Sequence, residues 1–322
     1  MKQPTELSPI VFFGTPSFAV PTLDALAAAG RSPVAVVSQP ARRVGRGQRR
    51  SQPPVAEWAL EHGLPLLQPE RVRDPELIVE LARFQAALAV VVAFGQIFPQ
   101  SLLDLPTHGC MNLHASLLPA YRGAAPIAAA IASGDAVTGV TTMLMERGLD
   151  SGAVLLQREV PIEPHDTAAS LGERLARVGG DLVVDTIERW ERGELEPSEQ
   201  DHSVASVAPR LSKSDGEVDW TRTAVEIERQ VRAMTPWPGA ATSFRGQPLG
   251  VLESSVSEPA GQGCAPGRVL GTAGDAMLVA CGRGVLALDR VRRAGRRPVS
   301  GRDFWNGERP EPGERLGDEE PA

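Results

Sequence analysis

Short apolar runs alternate with helix-like segments over residues 9–192, and this alternation constrains the fold more than any other feature of the sequence. The strand-like runs are PIVFFG, PVAVVSQ, AALAVVVAFG, GCMNLHAS and GVTTMLME. Segments with helical spacing separate them, and an amphipathic segment from Ala168 to Arg192 closes the region. This order predicts an α/β fold with a doubly wound, mostly parallel, Rossmann-like sheet covered by helices on both faces.

The sequence changes character after Gly193. Residues 194–208 are polar and lack periodicity, which is typical of a linker. One helix, Thr223–Met234, is then followed by short strand candidates broken by Gly and Pro, of which GRDFWNG is the last. We therefore predict a first domain over 1–193, a linker over 194–208, a smaller C-terminal β-barrel (OB-like) domain over 209–307 and a disordered tail over 308–322.

Several functional classes are disfavoured by what the sequence lacks. No apolar run is long enough to span a bilayer, and the N-terminus does not read as a secretory signal, so we expect a cytoplasmic protein without a membrane partner. Cys110, Cys264 and Cys281 stand in unrelated contexts that suit neither a disulfide framework nor a zinc site. Dinucleotide, phosphate-loop, H-E-x-x-H and G-x-S-x-G motifs are absent, which favours a metal-free, non-covalent mechanism.

Arginines concentrate in residues 41–50 and 290–297, although the net charge of the chain is -7. Such clusters are often solvated loops. They also suit phosphate binding, because the guanidinium fork matches phosphate oxygens, and the sequence leaves both interpretations open. The candidate phosphate-binding residues are Arg42, Arg43, Arg46, Arg49, Arg50, Arg290, Arg292, Arg293, Arg296 and Arg297.

A polar pair lies at the end of one predicted strand. Asn112 and His114 are two residues apart, so both point to the same face. In an open α/β sheet the carboxyl ends of the strands border the ligand crevice, where an imidazole can move protons and an amide can stabilise an oxyanion. Asp150, in a Gly-flanked loop, is the candidate third group. A core histidine and a turn-forming aspartate remain the alternative interpretations.

The stretch NLHASLLPAYRGAAPI, with GLDSG downstream, resembles the signature of the folate-dependent formyltransferases. Further blocks resemble the branch of this family that acts on charged tRNA. They are IVFFGTPSFAVPTLDAL, VVSQPARRVGRGQ, VVVAFGQIFP, RLSKSDGEVDW and RAMTPWPGA, and they occur in order between about residues 9 and 307. The resemblance therefore extends over both predicted domains.

The resemblance implies transfer of the formyl group of 10-formyltetrahydrofolate to the α-amino group of initiator methionyl-tRNA. Asn112 would then stabilise the oxyanion, His114 would take a proton, and Asp150 would orient His114 or assist proton transfer to the departing folate nitrogen. The folate would lie against the turn and strand end formed by Ser116, Leu117, Leu118, Pro119, Ala93, Phe94 and Gly95. Arg46 would approach the acceptor end of the tRNA, and the second domain would add phosphate contacts along the acceptor arm.

Other functions use the same residues. A formyltransferase acting on an amino sugar nucleotide would keep Asn112, His114 and Asp150 but would not explain the arginine loop. A glycinamide ribonucleotide formyltransferase would need only about one domain, and a formyltetrahydrofolate hydrolase would use water as the acceptor. A non-catalytic RNA-binding protein would retain only the arginines. We expect a monomer, because a chain that clamps a large RNA with its own domains does not require a second copy.

Overall fold

The computed structural model describes residues 8–44, 49–257, 264–311 and 313–317. The chain forms two compact units. The first comprises the residues up to Pro126 together with Val137–Pro161 and Gly172–Ala208. The second comprises Ile127–Ala136, Ile162–Leu171 and the residues from Pro209 onward.

Strands and helices have the following bounds. The strands are β1 Ile10–Gly14, β2 Ala35–Val37, β3 Arg42–Val44, β4 Arg49–Ser51, β5 Leu66–Leu67, β6 Leu88–Val92, β7 Cys110–His114, β8 Arg122–Gly123, β9 Val137–Leu144, β10 Val154–Pro161, β11 Val207–Ala208, β12 Ala240–Phe244, β13 Gln247–Ser257, β14 Val269–Ala273, β15 Ala276–Ala280, β16 Val285–Arg293 and β17 Val299–Ser300. The helices are α1 Val20–Ala28, α2 Pro54–Glu61, α3 Pro75–Ala82, α4 Gln100–Leu103, α5 Pro126–Ser133, α6 Ala168–Glu191, α7 Ala224–Ala233 and α8 Gly301–Glu308. Short 3-10 turns occupy Ser17–Ala19, His202–Val204 and Ser214–Gly216.

The sheet of the first unit has the strand order β10-β9-β7-β6-β1-β2-β5. Strands β5, β2, β1, β6 and β7 run parallel, which confirms the predicted Rossmann-like sheet. Strands β9 and β10 continue it in antiparallel sense. The sequence analysis assigned no strand to β10, because an edge strand with exposed polar residues lacks the apolar run of a buried one.

Helix α6 lies very close to the sheet and to its neighbouring helix, because two glycines face them. An ideal Cβ at Gly179 would be 2.6 Å from a methyl carbon of Leu113 in β7. At Gly180 it would be 2.8 Å from the carbonyl oxygen of Pro21 in α1. The contact at Gly180 is with backbone, so only glycine allows α6 to approach α1 this closely, whereas a Cβ at Gly179 would require the Leu113 side chain to shift.

The second unit contains an antiparallel sheet with the order β12-β13-β16-β15-β14, and β17 pairs with β16. Its core includes the buried side chains of Trp220, Phe244, Phe304 and Leu316. Helix α7 begins with a capping box in which Thr223 and Glu226 exchange hydrogen bonds. These observations confirm a smaller β domain after the Rossmann-like sheet.

The segment GRDFWNG is a helix, so its prediction as a strand was wrong. Ser300 caps the N-terminus of α8, since its Oγ accepts a hydrogen bond from the Asp303 amide at 3.0 Å. Phe304 is buried on the inner side, whereas Arg302 and Asp303 are exposed. Two aromatic residues between glycines suggested a strand, but the cap and the one-sided burial of a helix determine the structure.

The predicted disorder after Gly307 is wrong for residues 308–311 and 313–317. The Leu316 side chain is only 2% exposed and packs in the core of the second unit. Glu314 forms an ion pair with Arg245 at 2.6 Å. The polar composition misled the prediction, because the segment is also held by backbone hydrogen bonds to distant residues, such as the one from the Leu316 amide to the Gly267 carbonyl at 2.8 Å.

The segment predicted as a linker, 194–208, is packed within the first unit. Ser198 forms an antiparallel bridge with Val154, and β11 pairs in parallel with β8. Gln200 is buried. Long-range pairing replaces the periodicity that the sequence of this segment lacks.

Candidate active site

Asn112 and His114 occupy alternate positions at the carboxyl end of β7 and so share one face of the strand. His114 is buried, whereas Asn112 is half-buried. Within the described ranges, no group hydrogen-bonds to the side-chain amide of Asn112. The amide is therefore available to an oxygen atom of a ligand.

Protein groups lie beside both ring nitrogens of His114. Nε2 is 2.8 Å from the carbonyl oxygen of Tyr121. A carbonyl can only accept, so Nε2 carries a proton and donates it. Nδ1 lies 3.7 Å from Oδ2 of Asp150. Consequently Nδ1, next to the carboxylate, is the ring nitrogen at which a proton can be gained or lost.

Asp150 follows β9 in a loop and adopts a left-handed backbone conformation, with φ of 49°. This conformation is uncommon for a residue other than glycine and requires support from its surroundings. Its Oδ2 accepts a hydrogen bond from the Gly123 amide at 2.7 Å. Gly123 has a φ of 115°, and a Cβ there would lie 2.6 Å from the Ala208 carbonyl oxygen, so the position requires glycine. The structure thus brings the predicted catalytic residues together.

The turn Ser116–Pro119 is held by internal hydrogen bonds. The Ser116 side chain is buried, and its hydroxyl donates to the Ala120 carbonyl at 2.5 Å. The Thr141 hydroxyl donates to the Ser116 carbonyl at 2.6 Å. Leu118 is buried, whereas Leu117 and Pro119 are half-buried. Ser116 and Leu118 therefore shape the turn, and its half-buried positions are the more accessible ones.

The strand end after β6 alternates between exposed and buried residues. Ala93 and Gly95 are exposed with φ of 47° and 83°, whereas the Phe94 side chain packs in the core. The Phe94 carbonyl accepts a hydrogen bond from Gln39 Nε2 at 2.8 Å. Ala93 and Gly95 are therefore the accessible residues of this strand end.

Gln200 and Arg122 belong to this site, and the sequence analysis assigned neither of them. The Gln200 amide donates to the Asp150 carbonyl at 2.9 Å, and its Oε1 accepts from Arg122 at 2.6 Å. Arg122 is part of the quoted PAYRG stretch, which was a usable signal. Gln200 lies in the polar segment 194–208, where no pattern distinguished it.

The first arginine stretch forms a β-hairpin of β3 and β4 in which Arg42 pairs with Ser51. Arg42 and Arg50 are exposed, and Arg42 donates to the Gln39 side chain at 2.9 Å. Arg46 and the side chains of Arg43 and Arg49 lie outside the described part of the structure. The β3–β4 pair thus follows β2 along the chain, beyond the carboxyl end of that strand.

The arginines of the second stretch have different environments. Arg293 forms an ion pair with Glu308 at 3.0 Å, and the exposed Arg290 lies 3.4 Å from Glu253. Arg292, Arg296 and Arg297 are exposed, and no carboxylate in the described ranges pairs with them. Arg296 and Arg297 border a groove of about 580 Å³.

Cysteines and potential metal ligands do not converge on this site. All three cysteines are free thiols. Burial raises the pKa of Cys110 to about 12, with a smaller contribution from Asp104. The described residues contain no group of three or more His, Cys, Asp or Glu placed to hold a metal ion. No described helix is long and apolar enough to cross a membrane.

Comparison with protein families gives two matches. Residues 8–187 match the family described as "Formyl transferase". Residues 210–309 match "Formyl transferase, C-terminal domain".

Curated relatives are similar along almost their whole length. A "Methionyl-tRNA formyltransferase" of Geobacter sulfurreducens is 46% identical over 309 residues, covering 96% of this chain and 96% of that protein. One of Solibacter usitatus is 48% identical over 309 residues, covering 96% of this chain and 98% of that protein.

Solved structures share the fold at low identity. HypX from Aquifex aeolicus, in complex with tetrahydrofolic acid, is 19% identical with a TM-score of 0.63, covering 93% of this chain and 47% of that one. An N-formyltransferase from Helicobacter canadensis, in complex with folinic acid and dTDP-3-aminofucose, is 18% identical with a TM-score of 0.64, covering 87% of this chain and 98% of that one.

Proposed function

The chain belongs to the formyl transferase family, and from this premise we infer that it is the enzyme that formylates methionyl-tRNA. The observation that carries this conclusion is the identity of 46% and 48% to two methionyl-tRNA formyltransferases over 96% of the chain. The formyl acceptor is the α-amino group of methionine on initiator tRNA, and the product starts translation. The sugar N-formyltransferases are similar in fold only, at 18% identity for one of them.

The family uses a folate-derived formyl donor, and we propose 10-formyltetrahydrofolate for this enzyme. The exposed backbone at Ala93 and Gly95 supports a site for a flat heterocycle, because its edge presents hydrogen-bond donors and acceptors. The turn formed by Ser116, Leu117, Leu118 and Pro119 would hold the rest of the donor through its half-buried positions. Bound there, the folate supplies the formyl carbon, and the chain itself supplies orientation and proton transfer.

Asn112 is proposed to stabilise the oxyanion. When the amine nitrogen attacks the formyl carbon, a C–N bond forms and the carbonyl oxygen gains negative charge. An amide donor that has no partner in the described residues and lies at a strand end is suited to that oxygen. Such a donor typically accounts for about 10²–10³-fold in rate.

His114 and Asp150 are proposed to act together as the proton acceptor. Nε2 donates to the Tyr121 carbonyl, so the proton lost by the amine is received on the Nδ1 side, shared with the carboxylate. The same proton is then returned to the folate nitrogen as its bond to the formyl carbon breaks. The Tyr121 carbonyl stabilises the ring while it is positively charged.

The arginines of the two stretches are proposed to bind the tRNA backbone. Arg42, Arg43, Arg46, Arg49 and Arg50 would contact the acceptor end, and Arg290, Arg292, Arg296 and Arg297 would contact phosphates along the acceptor arm. Arg293 is the weakest candidate, because its guanidinium is bonded within the second unit. We propose that the enzyme works as a monomer in the cytoplasm, where translation occurs, with the boundary between its two domains near residue 209.

The test is formyl transfer from 10-formyltetrahydrofolate to methionine-charged initiator tRNA, compared with uncharged tRNA and with an amino sugar nucleotide. Formylation of the charged tRNA alone is expected. Formylation of the sugar nucleotide in its place would leave the catalytic proposal intact and overturn the proposal for the arginines. Formylation of neither acceptor would overturn both proposals.

A further inference from the structure

Gln200 uses its full hydrogen-bonding capacity inside the first unit. Its Nε2 donates to the carbonyl oxygens of Asp150 at 2.9 Å and Gly152 at 2.7 Å. Its Oε1 accepts from Nε and a terminal nitrogen of Arg122 at 3.0 and 2.6 Å. A primary amide has two N–H donors and two acceptor lone pairs, so every position is filled. The side chain is only 6% exposed.

The two partners of Gln200 belong to the loops on either side of the His114 ring. Arg122 lies between Tyr121, whose carbonyl accepts from Nε2, and Gly123, whose amide donates to the Asp150 carboxylate. Asp150 lies beside Nδ1. One buried amide therefore connects the loop that contacts one ring nitrogen to the loop that contacts the other.

We infer that Gln200 is a positioning residue for formyl transfer: it fixes the Asp150 carboxylate and the Tyr121 carbonyl at the two nitrogens of His114. It touches no reacting atom and acts through Arg122 and Asp150. This inference rests on the proposed roles of His114 and Asp150 in proton transfer.

The backbone of Asp150 shows why such a support is needed. Its φ of 49° is a conformation that surrounding contacts must hold in place for a non-glycine residue. Gln200 binds the carbonyl of this same residue and that of Gly152, on either side of Ser151. Without these bonds the loop loses the contacts that oppose relaxation, and the carboxylate moves away from Nδ1.

The chain provides a matched control in Gln230. This glutamine is also buried, at 8% exposure, and its Nε2 donates to the carbonyls of Asp215 and Glu217, each at 2.9 Å. It lies in α7, in the second unit. Gln230→Leu therefore removes a buried amide with two carbonyl acceptors but leaves the His114 loops unchanged.

The experiment compares Gln200→Leu and Gln230→Leu by steady-state formylation of charged initiator tRNA over a range of donor concentrations and by thermal unfolding. Gln200→Leu is expected to lower kcat by about 10²-fold, the usual consequence of a misplacement of roughly 1 Å, with the KM of the folate donor changed by less than about threefold. Gln230→Leu is expected to lower the unfolding temperature similarly without lowering kcat. Equal kcat in the two variants would overturn the inference.

A double-substitution cycle separates positioning from general stabilisation. If Gln200 acts through Asp150, then Gln200→Leu costs little further kcat in an Asp150→Ala background. Full additivity of the two losses would contradict the inference. If Gln200→Leu does not fold, Arg122→Met interrupts the same connection from the other side and is expected to lower kcat about 10-fold.

These outcomes also separate the inference from the proposed function. If the wild-type enzyme formylates a different amine and Gln200→Leu still lowers that kcat selectively, the positioning role holds while the acceptor is wrong. If the wild type formylates charged initiator tRNA and Gln200→Leu matches Gln230→Leu, the proposed function holds and the inference fails.

Discussion

Around His114, both ring nitrogens, the Asp150 carboxylate and the buried Gln200 amide all have close partners within the first unit. On the second unit, Arg292, Arg296 and Arg297 are exposed, without a carboxylate partner in the described ranges. Formyl transfer requires fixed geometry, and the polar groups of this site hold one another in place through hydrogen bonds and close charged contacts. Attraction of a polyanion acts over distance and tolerates mobile side chains, which suits the phosphate-binding role proposed for these arginines.

The largest effect is expected at the polar residues around His114. His114→Ala and Asn112→Ala should lower kcat by about 10²–10⁴-fold and 10²–10³-fold, because they remove the proposed proton acceptor and the proposed oxyanion donor. Steady-state formylation over a range of tRNA concentrations measures this, with KM for tRNA expected to stay within about threefold of wild type. Thermal unfolding is the control. If His114→Ala unfolds while retaining activity per folded molecule, the histidine is a core residue and the comparison fails.

A second prediction concerns pH and compares how one buried thiol in the core of each unit affects the free energy of unfolding. Burial raises the pKa of Cys110 to about 12 and that of Cys281 to about 11, from an ordinary 9.0. Above pH 9 the unfolded chain releases these protons while the folded chain keeps them. The free energy of unfolding therefore falls as pH rises, by up to about 1.4 kcal/mol per pH unit for each thiol.

Chemical denaturation of wild type, Cys110→Ala and Cys281→Ala between pH 8 and 11 measures these slopes. Each substitution should reduce the slope, because it removes one thiol whose pKa is raised in the folded chain. Identical slopes in all three proteins would show that the thiols are less buried than in the structure.

A third prediction sharpens the comparison within the arginine surface. The Arg293 guanidinium hydrogen-bonds to Glu308 at 3.0 Å and to the Phe244 carbonyl at 3.1 Å, and it lies over the Phe244 and Phe304 rings. Arg293→Ala should therefore lower the free energy of unfolding of the second unit by about 1–2 kcal/mol. The exposed neighbour Arg292→Ala is the matched control and should change stability by less than about 0.5 kcal/mol. Equal stability of both variants would show that Arg293, like Arg292, does not stabilise the second unit.

The smallest effect is expected at the exposed arginines of the second unit that have no carboxylate partner in the described ranges. The double variant Arg296→Ala/Arg297→Ala should weaken tRNA binding several-fold at moderate salt and reduce the slope of log K against log salt by about 2, leaving kcat unchanged. Binding titrations at several salt concentrations measure this. Arg192→Ala, which removes a guanidinium paired with Glu194 at 2.7 Å, should leave the slope unchanged. A lower kcat in the double variant would show that this surface also positions the tRNA for formyl transfer.

The predictable part of the site depended on local rules. Alternation on a strand placed Asn112 and His114 on one face, and the carboxyl end of a parallel strand placed them at a crevice. Asp150 could be predicted as a candidate because it lies in a Gly-flanked loop sequence, GLDSG. Each of these follows from a few neighbouring residues.

The part that could not be predicted depends on distant contacts. Gln200 meets Asp150 across 50 residues and Arg122 across 78, and nothing near it in sequence marks that approach. Leu316 looks like one apolar residue in a polar tail until the core that receives it is known. Helix α8 was missed because its cap at Ser300 is a single hydroxyl between arginine-rich and aromatic residues.

The glycine pair of α6 limits how this enzyme can be improved in the laboratory. Replacing helical glycines by alanine is a common first step in thermostabilisation, since it lowers the entropy of the unfolded chain. At Gly180 the added methyl group would meet the Pro21 carbonyl oxygen at 2.8 Å, and at Gly179 it would push the Leu113 side chain aside. A library built on helix propensity would select both positions early; it would lose stability at Gly180 and, at Gly179, displace the residue that precedes His114 on β7.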